Sequence, residues 1–337
     1  MANDLLTFND RGIYCPRSNV YIDPIKSVNK AILTHAHFDH ARPGSKHYIA
    51  QKDNFNILKH RLGGIPLETK AYNERFLINQ VKFSFHPAGH IWGSSQVRVE
   101  YKGEVWVVSG DYKTVDDGFS APYEPIKCHT FITESTFALP VFKWLPQKLV
   151  LNQLELWWKK NAEDGKTSIL SAYALGKAQR LLTSVNPDIG KIFVHGAVHK
   201  VNEALRKDGA ILPDCQYVSH EIPKSAYPGS LVVTPSSGLG TSWVNKFYPY
   251  ELGTVSGWMN IRGIKRRRNA GRGFVLSDHA DWQGLNQAVE ASEAEKIFVM
   301  HGYTDSFARY LNGKGLESDI VKFPGSKTID NVETITP

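Results

Sequence analysis

Thr34-His35-Ala36-His37-Phe38-Asp39-His40 follows the apolar stretch Ala31-Ile32-Leu33, and its reading decides how the rest of the chain is understood. An apolar run that ends in histidines predicts a buried strand whose C-terminal loop carries the polar side chains. Packing does not account for three imidazoles and a carboxylate crowded into one turn. Alternation along an extended loop can give His35 and His37 to one cation, and Asp39 and His40 to a second. Imidazole plus carboxylate without thiolate suits zinc, with manganese or iron as further candidates.

Ligands to complete such a pair are sought at other strand ends. His90 stands in Pro87-Ala-Gly-His-Ile-Trp-Gly-Ser94, a Gly-rich turn between the expected strands 81–85 and 95–101. Asp111 closes the apolar run 104–108 through Ser109-Gly110, where its carboxylate could bridge two ions. Near the C-terminus, Ser277-Asp278-His279-Ala280-Asp281 and Val299-Met300-His301-Gly302 each follow a strand-like segment. Parallel strands present their C-terminal ends on one edge, so both histidines can reach one site. His301 is the natural last ligand for the second ion, which leaves His279 for proton transfer.

Composition bounds the class. With 42% hydrophobic and 22% charged residues, the chain has the material for a large buried core, and disorder is excluded. The three cysteines, Cys15, Cys128 and Cys215, form no CxxC pair, which argues against a disulfide framework or a thiolate knuckle and for reduced thiols. Neither a signal-like N-terminus nor an apolar run of ~20 residues is visible, so a soluble, cytoplasmic protein is expected. A net charge of +7 suits an anionic partner, and six basic residues without an acid fall between Met259 and Gly273.

Texture changes along the chain. Short strands dominate the first third, including a hairpin of 12–14 with 20–22 and a closing strand at 131–133. A helix over 147–161 then opens an alternation: strand 167–172, a helix from Lys177, strand 191–194, a helix after Val198, strand 231–234. That spacing predicts a parallel α/β unit inserted into an outer domain. Strands at 273–276 and 296–300 and helices at 281–291 and 304–311 complete the expectation.

The order HxHxDH, then Ala-Gly-His, then Ser-Gly-Asp resembles the metallo-β-lactamase fold, two facing β-sheets with helices outside. Thr133-Glu134-Ser135-Thr136, Ile169-Leu-Ser-Ala-Tyr-Ala-Leu-Gly-Lys-Ala-Gln179, SDHAD and VMHG resemble the motifs of its β-CASP nucleases, over roughly residues 12 to 310. Tyr21-Ile-Asp-Pro24, THAHFDHARPG, PAGHIWGSSQVRVE and SGDYK are similar to the bacterial DNA-ligase-associated exonucleases within that family.

The resemblance implies an αββα sandwich from 1–145 and 263–337, interrupted by a β-CASP domain at 146–262. It also implies a metal-dependent nuclease, read as a DNA exonuclease in repair that takes single strands or free ends, associated with an ATP-dependent DNA ligase and a helicase. An RNA-processing nuclease is the alternative, because DNA-specific relatives usually carry valine at the position of His301. A non-catalytic nucleic-acid-binding subunit is a third reading.

In this scheme two divalent ions, zinc or manganese, are held by His35, His37 and His90 and by Asp39, His40 and His301, with Asp111 between them. Asp39, His279 and Glu134 form the catalytic set, Glu134 orienting the His279 imidazole. Lys113, Ser236, Ser237, Arg266, Arg267 and Arg268 are candidates for phosphate contacts. Trp92 and Trp243 are candidates for base stacking, with core burial the better reading of both.

Overall fold

The computed structural model describes residues 4–261 and 271–324. Its contacts divide the chain into two units, one taking the chain up to Lys143 and again from His279, the other Trp144–Asp278. The fold is mixed α/β throughout.

In the first unit six short strands lie side by side in chain order, from Thr7–Asn9 to Leu67–Lys70. The expected hairpin is present, with Ile13 opposite Ile22 in antiparallel register. The sheet then turns parallel: Tyr21 pairs with Ala31 and Lys30 with His47. This parallel step places the end of strand Val20–Ile22 beside the end of Lys30–Leu33, where the histidine loop begins.

A second sheet holds seven strands in the order Glu317–Ile320, Lys296–Gly302, Thr130–Ser135, Glu104–Val108, Ser95–Tyr101, Val81–Pro87 and Phe76–Ile78. The side-chain period of two divides its apolar residues between its faces. Trp106, Val108, Ile132 and Phe298 share a cluster with Ile13, Ile22, Ile32 and Ile49 of the first sheet, so these faces pack on each other. Val105, Val107, Phe131, Ile297 and Val299 point the other way, onto Leu285 and Val289 of helix Trp282–Ser292 and Phe307 and Leu311 of helix Thr304–Gly313.

The central strands are parallel neighbours: Thr130–Ser135 pairs with Glu104–Val108 on one side and with Lys296–Gly302 on the other. Their C-terminal ends therefore share an edge.

The second unit is a six-stranded parallel sheet ordered Gln216–Tyr217, Ile192–Val194, Leu231–Thr234, Thr167–Ser171, Tyr250–Val255, Arg272–Phe274. Helices Gln147–Glu163, Lys177–Ser184 and Gly196–Lys207 alternate with these strands, as the spacing predicts. Strand Arg272–Phe274 adds to this sheet by pairing with Tyr250–Val255. The sequence places the return to the outer domain at residue 263; the contacts place it at His279, because Arg272–Phe274 still pairs into this sheet.

Among the described residues no helix is long and apolar enough to cross a membrane. The three cysteines are free thiols.

Candidate metal centre

Each side chain of the centre sits where a strand of the first unit ends. Thr34 leads the histidine loop out of the first sheet, and its carbonyl accepts from both Ser95 N–H and Ser95 Oγ–H at 2.9 Å, which ties the loop to the second sheet. Ser94 Oγ accepts from the N–H groups of His90 and Ile91, each at 3.1 Å, and this fixes the turn that presents His90. Asp111 follows Gly110, which holds φ of 56°. A Cβ on Gly110 would lie 2.7 Å from Thr34 Cβ, so only glycine lets the aspartate turn approach the histidine strand this closely.

Two groups of ligand atoms share Asp111. In the first, His35, His37, His90 and Asp111 each place one donor atom within 4.8 Å of the others. His37 Nδ1 lies 3.1 Å from His35 Nε2 and 3.0 Å from His90 Nε2. In the second, Asp39, His40 and Asp111 meet the same limit. His40 Nε2 is 3.4 Å from Asp111 Oδ1 and 3.6 Å from Asp39 Oδ2. The two oxygens of Asp111 thus serve different groups, with Oδ2 3.5 Å from His35 Nε2.

His301 stands beside the second group rather than within that limit, its ring centroid 5.2 Å from that of His40. Its backbone is unusual. His301 has φ of 55°, a left-handed conformation that a non-glycine residue adopts at a cost and that is concentrated at functional sites. Its carbonyl accepts from Ser135 Oγ–H. Gly302 follows at φ of 76°, where a Cβ would sit 2.5 Å from the Ser135 carbonyl oxygen. Strand Lys296–Gly302 therefore ends in a tight left-handed bend, where its register against Thr130–Ser135 shifts, and this holds the histidine against the neighbouring strand.

A third group joins Asp111 to Glu134 and His279. His279 Nδ1 lies 3.0 and 2.9 Å from the two Glu134 oxygens, and Tyr112 N–H donates to Glu134 Oε1 at 2.8 Å. Glu134 is wholly buried. The His279 ring lies 4.5 Å from that of His90, beside the first group.

Electrostatics match a cation site. Burial, reinforced by His40, holds His35 well below the usual histidine range. Burial and His40 likewise lower His301. These imidazoles keep their lone pairs at neutral pH. Burial would depress His40 as well, but Asp111, Asp39 and Asp23 outweigh it and hold that ring well above its ordinary range. Asp111 is held well below the carboxylate range against its own burial, chiefly by His40.

One observation tests whether the residues fit a metal. His40 Nε2 is buried without a hydrogen-bond partner, aimed at two carboxylates. A buried polar atom left unpaired is costly, and a cation there would satisfy it. The donor set, imidazole nitrogen with carboxylate oxygen, fits a divalent metal.

Asp23 escaped the sequence reading. Its carboxylate meets His40 Nδ1 at 2.7 Å and accepts from Thr34 Oγ–H at 2.5 Å and Thr34 N–H at 2.8 Å. A carboxylate on the far nitrogen of a ligating histidine fixes its tautomer and orientation. Tyr21-Ile-Asp-Pro24 was singled out only for its resemblance; an acid ending the strand before the histidines was the available signal.

Lys113 is buried just after the Asp111 turn, its N–H bonded to the Ala88 carbonyl at 2.9 Å. Ser236 and Ser237 are exposed and open a short helix, Ser236–Leu239, in the second unit. Arg266, Arg267 and Arg268 lie outside the described residues.

No family model matches the chain. Among curated proteins it is similar to a protein named "Probable DNA ligase" of Opitutus terrae, 26% identical over 311 residues, covering 91% of this chain and 30% of that one. It is similar to an RNase J-like protein of Methanocaldococcus jannaschii, 28% identical over 189 residues, 48% of this chain and 44% of that one. It is also similar to endoribonuclease YSH1 of Yarrowia lipolytica, 24% identical over 402 residues, 91% of this chain and 48% of that one. The chain spans less than half the length of these relatives.

Among solved structures it is similar in fold to a protein of unknown function from Enterococcus faecalis V583, with TM-score 0.55 and 11% identity over 80% of this chain and 75% of that one. The resemblance to the β-CASP nucleases is borne out by relatives named as an RNase J-like protein and an endoribonuclease.

Proposed function

We propose that this chain is a metal-dependent phosphodiesterase acting on nucleic acid, and that it works as a DNA exonuclease in repair. The observation that carries the reading is the two-sided Asp111, with His35 and His90 at one oxygen and His40 at the other, while His37 and Asp39 complete the two groups. In the same reading the first unit is the αββα metallo-β-lactamase sandwich, and the second is the inserted β-CASP domain. Two divalent ions, zinc by the donor set, would be held by His35, His37 and His90 and by Asp39, His40 and His301.

When bound, such ions would bring the pKa of water down into the neutral range and offset charge on phosphoryl oxygens. The chain's own residues supply the rest. Glu134 engages His279 Nδ1, which leaves Nε2 of that ring to donate to the departing sugar oxygen or to grip the phosphate. Tyr112 N–H keeps the carboxylate turned towards the imidazole. Asp39, with its side chain 57% exposed, marks the open side of the centre.

DNA is favoured by the relative named for a DNA ligase, which matches 91% of this chain. Association with a ligase or a helicase rests on that same likeness. An RNA-processing role is the second reading, supported by His301 and by the names of the two ribonuclease relatives. End-labelled single-stranded DNA and RNA of one sequence, incubated with zinc or manganese, separate the two, with Asp39→Ala as control. Stepwise shortening of DNA alone is expected. Preferred cleavage of RNA selects the second reading, and no cleavage of either by a metal-loaded protein refutes both.

A further inference from the structure

Phe38 sits between two members of the metal cluster, yet its ring is 68% exposed. A single exposed phenylalanine is ordinary on a protein surface. This one is held differently. His37 and Asp39 on either side are turned into the cluster, and the backbone between them is closed by Ala41 N–H donating to the His37 carbonyl at 2.8 Å. Arg42 braces the same loop, donating from Nε to the Asp39 carbonyl and from Nη1 to the Ile25 carbonyl, each at 3.3 Å. The ring is thus a fixed apolar face at the open side of the centre.

Arg61 lies over one face of the ring, its guanidinium 5.9 Å from the Phe38 centroid, and leaves the other face to solvent. It belongs to the last turn of helix Phe55–Leu62, where the helix dipole favours a cation. Burial pushes this guanidinium down from its ordinary range, with Asp39 acting in the opposite direction. Among the described residues it forms no ion pair within 4.0 Å. A partly desolvated cation with no carboxylate within 4.0 Å, over one face of an exposed ring, matches one nucleotide unit: a flat base on the ring's other face and an adjoining phosphate. The two tryptophans considered from sequence are engaged elsewhere, Trp92 against Phe119 and Trp243 against His195 and Phe247.

We propose that Phe38 and Arg61 form a nucleotide subsite at the rim of the metal centre, the ring stacking on a base next to the cleaved bond and the guanidinium pairing with its flanking phosphate. The subsite rests on the nuclease reading and makes it more specific: it takes an unpaired base, since a base within a duplex offers no free face.

The test uses this chain free of metal and decamers of single-stranded DNA and RNA, with 2-aminopurine at either end or in the middle. Binding is expected to quench the fluorophore in at least one position, because an aromatic ring stacked on it does so. Phe38→Leu is expected to abolish that quenching and weaken binding ~5- to 150-fold, the range of one base–aromatic stack, while Phe38→Trp retains it. Arg61→Gln is expected to flatten the dependence of log affinity on log salt by about 0.7, one phosphate contact on a single strand.

Metal content of each variant after reloading checks that the loop is intact. Quenching and affinity that survive Phe38→Leu, in a protein that binds and cleaves the strands, refute the subsite alone. A wild-type protein that neither binds nor cleaves any strand refutes the nuclease reading, and the subsite with it.

Discussion

Asp23→Asn isolates the residue behind the metal centre. The side chain keeps its shape, and asparagine tolerates the φ of 44° found at this position. Its remaining carbonyl oxygen can still accept from Thr34 N–H, now at 2.8 Å. The other arm changes from acceptor to donor, facing His40 Nδ1 at 2.7 Å. An amide N–H there needs a lone pair on Nδ1, which forces the ring proton onto Nε2. Nε2 is the atom aimed at Asp111 Oδ1 and Asp39 Oδ2, and a protonated Nε2 cannot ligate a cation.

Loss of such a supporting carboxylate costs about 10- to 100-fold in metal affinity, equal to ~1.4–2.7 kcal/mol. The loss should fall mainly on the ion held by Asp39 and His40. Thr34 Oγ also lies 3.1 Å from His35 Nδ1, so the other group suffers a smaller effect. Competition for zinc against a chromophoric chelator at neutral pH reads both equivalents, and Asp39→Ala identifies which of them belongs to His40. Two equivalents bound within threefold of the wild type, or a loss confined to the His35–His37–His90 group, would refute the reasoning.

Three further outcomes are expected. His279→Ala should retain its metal by elemental analysis while kcat on a labelled strand falls about 10²- to 10⁴-fold, as for removal of a general acid; loss of metal would instead make His279 a ligand. Gly302→Ala should lower the thermal midpoint, since its φ of 76° and the 2.5 Å approach of a Cβ to the Ser135 carbonyl both forbid a side chain; an unchanged midpoint would contradict the tight turn. Hydrogen bonds from Arg98 and then Lys82 hold the Glu100 carboxyl down to about 2. That pairing stabilises the fold above the unfolded carboxyl's pKa of about 4.3 and is lost as pH falls towards 2. The difference in urea midpoint between wild type and Glu100→Gln should therefore shrink over this window, and a constant difference would contradict the assignment.

The histidine loop was legible because its residue types have few other uses at such density. Strands such as Ser95–Tyr101 were legible because Val97 and Val99 alternate with Arg98 and Glu100. Seven of the described strands were not foreseen: Thr7–Asn9, Phe76–Ile78, Gln216–Tyr217, Tyr250–Val255 and three more. His47–Gln51, Leu67–Lys70 and Glu317–Ile320 carry weak or polar patterns, and the last two lie at the edges of their sheets, where charge is common because one flank faces no partner.

Asp23 was hidden for another reason. Its role depends on the parallel pairing of Tyr21 with Ala31, which brings a residue 17 positions away onto the His40 ring. His301 was visible as a residue, but its left-handed backbone belongs to the turn against Ser135 and leaves no local trace.

The pairing of Thr130–Ser135 with Lys296–Gly302 joins strands whose contacting residues Ser135 and Met300 stand 165 positions apart. At ~5–20 residues per second, a ribosome needs on the order of 10–30 s to deliver the second after the first. During that interval the nascent chain carries one bare strand flank, together with most of its imidazoles and no finished cage. In the proposed centre, cations could be captured in full only once His301 has been made, so the order of synthesis itself would delay the onset of cutting activity.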